Sequence, residues 1–223
     1  SAFLAGPRII DTQRWDAAPY ILAFADDRLL GSPGNPVYAR NLRDRQETHW
    51  QVLHKGQAVR DPSNNRLLGY ECIPVGEVAL HGFADPAEGT VTTVLREVLR
   101  GDRLFIGVNR ALPSQFVPSA PEQPVEAFIA AVYDKRTRAG QYQIVAINRG
   151  REDGLSVGHV LDIQQDGAVT RDAERQLFRE VELPPLRIGQ MLLFDVSEQI
   201  AYGLVMSAER GVRRGDRAIP PRS

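Results

Sequence analysis

The sequence has one cysteine and no long apolar run. Cys72 cannot form an intrachain disulfide, so we expect the hydrophobic core alone to stabilise the fold. No stretch of about 18 apolar residues occurs, so no membrane-spanning helix is expected. A charged and apolar signal segment is also missing, and the chain begins Ser-Ala without Met. These features predict a fragment or a mature form from which any targeting segment has been removed.

Lysine is scarce and the charge is balanced. Lys55 and Lys135 are the only lysines among 27 basic residues, against 28 acidic residues and a net charge of −1. With a pI near 6.4 the chain has no global basic field, so nucleic acid and anionic membranes are not expected partners. The excess of arginine fits phosphate binding by guanidinium groups, but a GC-rich genome explains it more simply.

The motifs of the common enzyme classes are missing. There is no HExxH or CxxC metal motif, no GxSxG nucleophile elbow and no phosphate-binding loop followed by a lysine. His49 and His54 lie on one predicted strand at a spacing that points them to opposite faces, which makes a poor metal chelate. Cys72 lies in an apolar run with no adjacent base and is predicted to be a small buried hydrophobe. We therefore predict no catalytic residue, no metal and no cofactor.

What the sequence has is a regular strand rhythm. Strand-like runs recur every 8–14 residues with turn residues between them, and no amphipathic helix of 12 residues is predicted. The central example is Gln141–Ile163, which we interpret as strands Gln141–Asn148 and Val157–Ile163 joined by a loop containing Gly150 and Gly154. This rhythm is typical of an all-β barrel or sandwich.

A proline-rich stretch divides the chain. Residues 111–124 contain four prolines and no regular period, which indicates an extended, polyproline-like linker. We predict two consecutive small β-barrel or sandwich-like modules, residues 1–110 with an N-terminal hairpin and residues 125–223. The 223-residue length suits two domains of this size.

The two halves resemble each other weakly. Val37 and Val52 are fifteen residues apart, as are Val145 and Val160, and VGEVAL at 75–80 matches IGQMLL at 188–193. Arg-Gly-Asp-Arg occurs near the end of each half. A duplicated β-module with shared turn chemistry accounts for these matches. The Arg-Gly-Asp tripeptide is interpreted as a turn before a strand, and not as an integrin ligand.

Several of these motifs, in this order, resemble a known family. PRII at 7–10, NPVYAR at 35–40, LLGYECIPVGEV at 67–78 and REVLRGDRLF at 96–105 look like the region that follows the lysin motif (LysM) in proteobacterial peptidoglycan-binding proteins. The second half is similar to the same region, through Gln141–Ile163 and the segment 181–219. The resemblance runs from about Pro7 to Pro220 and rests on structural motifs, not on catalytic ones.

The resemblance implies a bacterial protein of the periplasm or cell envelope whose amino-terminal LysM binds N-acetylglucosamine-containing glycan. No LysM unit precedes Pro7 in this sequence, so no glycan-binding residue is carried over. The expected role is a non-catalytic accessory or scaffold region, with peptidoglycan bound through an upstream LysM absent from this chain. Two alternatives remain open: a protein–protein interaction module that recruits another envelope protein by strand addition, and a murein hydrolase whose site assembles from scattered residues.

The candidate interaction residues are few. Arg149, Arg151, Glu152 and Asp153 lie in the loop of Gln141–Ile163, a connection that the first half does not share. Trp50 is a candidate for a stacking platform that binds sugar or nucleobase, together with Trp15, Tyr38 and Tyr70. Core packing is the alternative fate of such side chains.

Overall fold

The computed structural model describes residues 8–25, 28–43, 46–106, 117–133, 137–171 and 180–221. Among the described residues, 55% lie in strands and 5% in helices, which confirms the all-β prediction. The chain divides into two compact units. The first comprises residues 1–59 and 68–110, and the second comprises residues 60–67 and 111–223. The turn of the hairpin between β5 and β6 therefore belongs to the second unit.

The first unit is built around a ring of six strands. Its elements are β1 (Arg8–Ile10), α1 (Thr12–Ala17), β2 (Tyr20–Phe24), β3 (Leu30–Gly31), β4 (Pro36–Arg40), β5 (His49–Arg60), β6 (Leu67–Gly82), β7 (Ala87–Val94), β8 (Val98–Leu99) and β9 (Arg103–Ile106). The ring runs β2-β4-β7-β6-β5-β9 and closes where β9 pairs with β2. Outside it, β1 pairs with the first part of β6, and β3 pairs with β8.

The second unit is a closed six-stranded barrel. Its elements are β10 (Ala127–Val132), β11 (Ile144–Ile147), a 3-10 turn (Arg151–Asp153), β12 (Val160–Gln165), β13 (Val169–Arg171), β14 (Glu180–Glu182), β15 (Leu186–Val196), β16 (Ala201–Ala208) and β17 (Arg217–Ile219). The barrel runs β10-β11-β16-β15-β12-β17. The ribbon β13–β14 extends the hairpin between β12 and β15.

The two rings have the same strand order and the same irregularities. A bulge follows Ile21 where β2 meets β4, and a bulge follows Ile129 where β10 meets β11. Gly76 faces Val94 across β6 and β7, as Gly189 faces Ala208 across β15 and β16. In both strand pairs the register shifts one residue after the glycine, at Glu77 and Gln190, and shifts again near the end of the strand. We call residues equivalent when they occupy the same register position in the two rings.

The turn before the last strand of each ring also repeats. Gly101 and Gly215 have φ of 87° and 94°, a left-handed conformation that glycine adopts without strain. Their backbone N–H groups donate to the carbonyls of Ile21 and Ile129 at 2.8 and 2.9 Å. The shared Arg-Gly-Asp-Arg sequence therefore forms the same turn twice, as predicted from the sequence.

One predicted correspondence was wrong in detail. Val37 and Val145 are equivalent, because each pairs with the end of the preceding ring strand. Val52 is equivalent to Ile163 and not to Val160, since Val52 faces Leu104 as Ile163 faces Ala218. The shared spacing of fifteen residues was therefore a coincidence.

The strands of Gln141–Ile163 are shorter than predicted and do not pair with each other. β11 covers Ile144–Ile147 and lies between β10 and β16, while β12 covers Val160–Gln165 and lies between β15 and β17. The intervening segment is a connection across the barrel and not a hairpin turn. A run of apolar residues predicts a strand but carries no information about its neighbour.

The predicted N-terminal hairpin was wrong, because β2 pairs with β4 and β9 whereas β3 pairs with β8. A helix over Thr12–Ala17 was also not predicted from the sequence. These six residues form α1, and the carboxylate of Asp11 caps it by accepting from the backbone N–H of Arg14 at 2.8 Å. Trp15 on this helix is buried. A helix of under two turns has too short an apolar period to be recognised in a sequence.

The predicted linker is described only in part. Residues 107–116 lie outside the described residues. Farther on, the N–H of Ser119 donates to Gly158 O at 3.1 Å and its carbonyl accepts from Val160 N at 2.8 Å. This end of the proline-rich stretch is therefore attached to the second unit.

Candidate functional site

The loop that begins at Arg149 lies against the turn between β15 and β16. The backbone N–H of Arg151 donates to Ser197 O at 2.9 Å, and that of Glu152 donates to Glu198 O at 3.1 Å. A Cβ on Gly150 would lie 2.4 Å from both carbonyl oxygens. Only glycine allows this approach, so the backbone fixes the position of the loop.

The structure brings the four predicted loop residues together. Arg149 contacts the Asp153 carboxylate at 3.4 Å, and Asp153 accepts from Gly150 N at 2.9 Å. Arg151 donates to Val196 O at 2.5 Å and lies 3.5 Å from a Glu198 carboxylate oxygen.

The fourth residue, Glu152, accepts from Gln199 at 3.4 Å. The polar groups of all four residues thus have partners within the loop and the adjoining turn. The arrangement accounts for the shape of the loop without requiring a ligand.

Trp50 lies in the core of the first unit. It is 4% exposed, and its indole N–H donates to Glu47 O at 3.0 Å. Trp15 is equally buried but packs in a separate cluster with Ile10 and Cys72. The two tryptophans therefore belong to different parts of the first unit, and neither presents an open ring face of the size that sugar stacking uses.

The strongest pair of chemically capable side chains is His54 and Asp102. His54 Nδ1 lies 2.7 Å from Asp102 Oδ1, and the other carboxylate oxygen accepts from Leu99 N at 2.8 Å. The His54 side chain is 43% exposed and the Asp102 side chain 4%. Burial raises the pKa of Asp102 above its ordinary value, and the hydrogen bonds from Leu99 and His54 offset this only in part.

An imidazole oriented by a buried carboxylate is the arrangement that general bases use. Within the described part of the chain, however, Asp102 is the sole hydrogen-bond partner of the His54 ring.

The second ring explains the His54–Asp102 pair. Asp216 is equivalent to Asp102, and it accepts from Arg213 N at 2.8 Å as Asp102 accepts from Leu99 N. Gln165 takes the place of His54 and donates its side-chain amide to Asp216 at 3.1 Å. Glutamine cannot act as an acid or a base, so the common role of both pairs is to hold the turn before the last ring strand.

A second buried carboxylate, Asp61, holds the turn between β5 and β6. Asp61 is 1% exposed and one of its oxygens accepts from Ser63 N, Ser63 Oγ and Asn148 Nδ2 at 2.9, 2.6 and 2.8 Å. Asn148 is itself fixed by accepting from Phe128 N at 2.7 Å. Burial raises the pKa of Asp61, but these hydrogen bonds and the charge of Arg149 outweigh it, so the pKa lies below its ordinary value.

Sequence reasoning placed Asp102 in the Arg-Gly-Asp-Arg turn, but it identified neither the partner of Asp102 nor that of Asp61. His54 and Asn148 lie 48 and 87 residues away from the carboxylates that they bind. No local pattern connects positions so far apart. The one available signal was the repeated Arg-Gly-Asp-Arg, which marks equivalent turns in both halves.

The remaining candidate nucleophile and metal ligands are engaged or isolated. Cys72 is 1% exposed, and burial raises the pKa of its thiol to about 12, which agrees with the predicted buried hydrophobe. His159 accepts from Ser156 N at 3.1 Å, and burial lowers its pKa. Among the described residues, no cluster of three His, Cys, Asp or Glu side chains has the arrangement that a metal ion needs.

Comparison with known proteins does not identify a family for this chain. No family model matches this chain, and no curated protein matches it. In the described parts of the chain, every helix is too short or too polar to cross a bilayer.

Proposed function

We propose that this chain is the non-catalytic accessory region of a LysM-type peptidoglycan-binding protein of the periplasm or cell envelope. The LysM, outside these residues, would bind the glycan, and the two β-units would form a scaffold beside it. The proposal rests on the motif resemblance described above for residues 7–220.

The single observation that supports a non-catalytic role is the repeated turn brace. The most capable constellation, His54 with Asp102, has a counterpart in Gln165 with Asp216 that has no acid–base chemistry. Because both units use a side chain to brace the equivalent carboxylate, the contribution of this hydrogen bond to stability is enough to explain why His54 lies beside Asp102. The hydrogen bonds to each carboxylate satisfy groups that would otherwise be buried without partners.

The tethering part of the proposal is tested by sedimentation with purified peptidoglycan sacculi. We expect this chain alone to stay in the supernatant, and the same chain fused to a LysM domain to sediment with the sacculi. Tight binding by the chain alone would contradict tethering through a separate domain.

The non-catalytic part is tested on the same sacculi. We expect no release of soluble muropeptides after prolonged incubation with the purified chain. Release that a His54→Gln substitution abolishes would instead support a murein hydrolase, because that variant keeps the hydrogen bond and removes the base.

A protein-interaction module is the second candidate function, and one observation favours it. The ribbon β13–β14 has two strands only, so among the described residues the outer edge of each strand carries no neighbouring strand. Open strand edges are the feature that partners use for strand addition.

A further inference from the structure

In the first unit, a short strand pair lies beside the turn that precedes the last ring strand. β3 pairs with β8, so that Leu30 lies opposite Leu99 and Gly31 lies opposite Val98. Leu99 is also the residue whose backbone N–H donates to Asp102. Apolar side chains that face each other across two strands stabilise the pair. Two leucines therefore brace this turn in the first unit.

The second unit has the same strand pair in a shorter form. Ala139 and Val212 form an antiparallel bridge, and their backbone N–H groups donate to each other's carbonyls at 2.6 and 2.8 Å. The register of this bridge, continued by one residue, places Arg138 opposite Arg213. Ala139 and Val212 are buried, whereas both arginines are exposed. The arginine pair therefore lies on the outer face, since side chains alternate along a strand.

Two leucines of the first unit are thus replaced by two arginines in the second. Arg213 is equivalent to Leu99, because its backbone N–H donates to Asp216 as that of Leu99 donates to Asp102. Like charges that face each other across two strands are destabilising. Since the first unit has Leu30 and Leu99 in the same places, the fold does not require arginine there. A feature that opposes local stability and that the fold does not require is typical of a functional site.

A third arginine lies beside this pair. The Arg138 side chain runs along the backbone of Gly211, since a Cβ added to Gly211 would lie 2.9 Å from Arg138 Cδ. Glycine therefore lets the Arg138 side chain lie close to the backbone next to Arg210, which is also exposed. The first unit has Glu97 at the position equivalent to Gly211. We call Arg138, Arg210 and Arg213 the arginine cluster.

The arginine cluster is only partly neutralised by its surroundings. Arg213 contacts the buried carboxylate of Asp216 at 3.4 Å. Among the described residues, Arg138 and Arg210 form no ion pair and no side-chain hydrogen bond. Glu209, the acid next to Arg210 in the chain, pairs with neither of them. Two guanidinium groups are therefore available to an anion from solution.

We propose that the arginine cluster binds a phosphate monoester group. Each guanidinium presents a planar fork that fits two oxygen atoms. A carboxylate has two oxygens and one charge, so a single arginine satisfies it. A phosphate monoester has three strong acceptor oxygens and a charge of about −1.5 to −2 at neutral pH. Three guanidinium groups, one of them shared with Asp216, match the phosphate group better.

The test compares the unsubstituted chain with the variant Arg138→Leu/Arg213→Leu, which carries the leucine pair of the first unit. Two-dimensional ¹H–¹⁵N NMR spectra of the full chain are recorded during titration with phenyl phosphate at constant ionic strength. We expect saturable shifts of the amide signals of residues 138–140 and 209–215 in the unsubstituted chain. The leucine variant should bind roughly tenfold more weakly or worse, because hydrogen bonds between charged groups are lost.

Further variants separate binding from a structural role. The leucine variant should keep the other amide signals of the second unit, because the first unit folds with the same pair. Arg138→Gln removes one unpaired side chain and should weaken binding without affecting the contact of Arg213 with Asp216. Arg96→Gln is the matched control, since Arg96 is exposed at the position equivalent to Arg210 and should leave the affinity unchanged.

The source of the phosphate group is distinguished with lipid vesicles. Phosphatidylcholine vesicles are prepared with and without phosphatidate and sedimented with the chain. Sedimentation that requires both phosphatidate and the arginine cluster would assign the phosphate to a lipid headgroup. Its absence, together with binding of phenyl phosphate, would assign the phosphate to a soluble ligand.

Three results would overturn the proposal. The first is the absence of saturable shifts with phenyl phosphate. The second is an affinity that the leucine variant and Arg138→Gln leave unchanged, and the third is an equal affinity for acetate, which would indicate a carboxylate site. The proposal does not depend on the tethering role, and sedimentation with peptidoglycan sacculi tests that role separately.

Discussion

The turn brace of the first unit can be tested by giving it the side chain that the second unit uses. His54→Gln places at His54 the residue found at the equivalent Gln165, which donates to its carboxylate at 3.1 Å. Asp102→Ala instead removes the acceptor for both His54 and the Leu99 backbone N–H. If the pair is architectural, the first change is mild and the second is severe.

The expected magnitudes follow from which groups lose a partner. A buried donor left without an acceptor costs about 1–3 kcal/mol. Asp102→Ala leaves the partly buried Leu99 N–H without its acceptor, while the half-exposed His54 can still bond to water. We expect Asp102→Ala to lower the free energy of unfolding by about 2–3 kcal/mol, a large share of the usual 5–15 kcal/mol. His54→Gln keeps one hydrogen bond, so we expect a change of about 1 kcal/mol or less.

The chain offers a convenient probe for this measurement. Its only two tryptophans, Trp15 and Trp50, both lie in the first unit, so tryptophan fluorescence during urea unfolding reports on the unit that carries the substitution. A loss of stability with His54→Gln as large as that with Asp102→Ala would refute the reasoning, because it would give the imidazole a role that glutamine cannot fill. A cost below about 0.5 kcal/mol for Asp102→Ala would also refute it.

Three further outcomes are expected. A Cβ at Gly189 would lie 2.1 Å from a backbone oxygen of β16, so Gly189→Ala should destabilise the second unit by roughly 1–3 kcal/mol, measured by calorimetry. The control is Gly140→Ala, whose Cβ would meet nothing within 4 Å and which should leave the stability unchanged. His159 accepts from Ser156 N–H and has a lowered pKa in the folded state, so its contribution is present above pH 6.5 and is lost as pH falls below it. His159→Asn, which keeps an acceptor, should therefore flatten the rise in unfolding free energy between pH 5 and 7.5, and an unchanged slope would contradict this. The Cys72 thiol, with a pKa near 12 and 1% exposure, should resist Ellman's reagent at pH 8 until urea unfolds the chain.

The loop from Arg149 to Asp153 shows how far local sequence reasoning reaches. Its glycines and charges predicted a connection peculiar to the second half, and the structure places the four charged residues together there. Their engagement depends on the turn at Ser197–Gln199, more than forty residues away. A sequence pattern contains the residue types of such a contact but not the partner that the fold brings to them.

Trp50 and Trp15 make the same point for aromatic side chains. Either an exposed platform or core packing is compatible with an aromatic residue on a strand. The decision depends on which strand face points into the ring, and the register of β5 against β9 settles that for Trp50.

The amino-acid sequence by itself determined the strand-rich class, the breaker-rich turns and the duplicated Arg-Gly-Asp-Arg, because these depend on residues that are close together in the chain. The tertiary structure alone decided the ring order and the true equivalence of Val52 with Ile163. These features depend on which distant strands meet, and the free energy that selects them comes from burial across the whole ring. The same reason explains why the Arg-Gly-Asp-Arg turn was recognisable in the sequence while its brace, His54 in one unit and Gln165 in the other, was not.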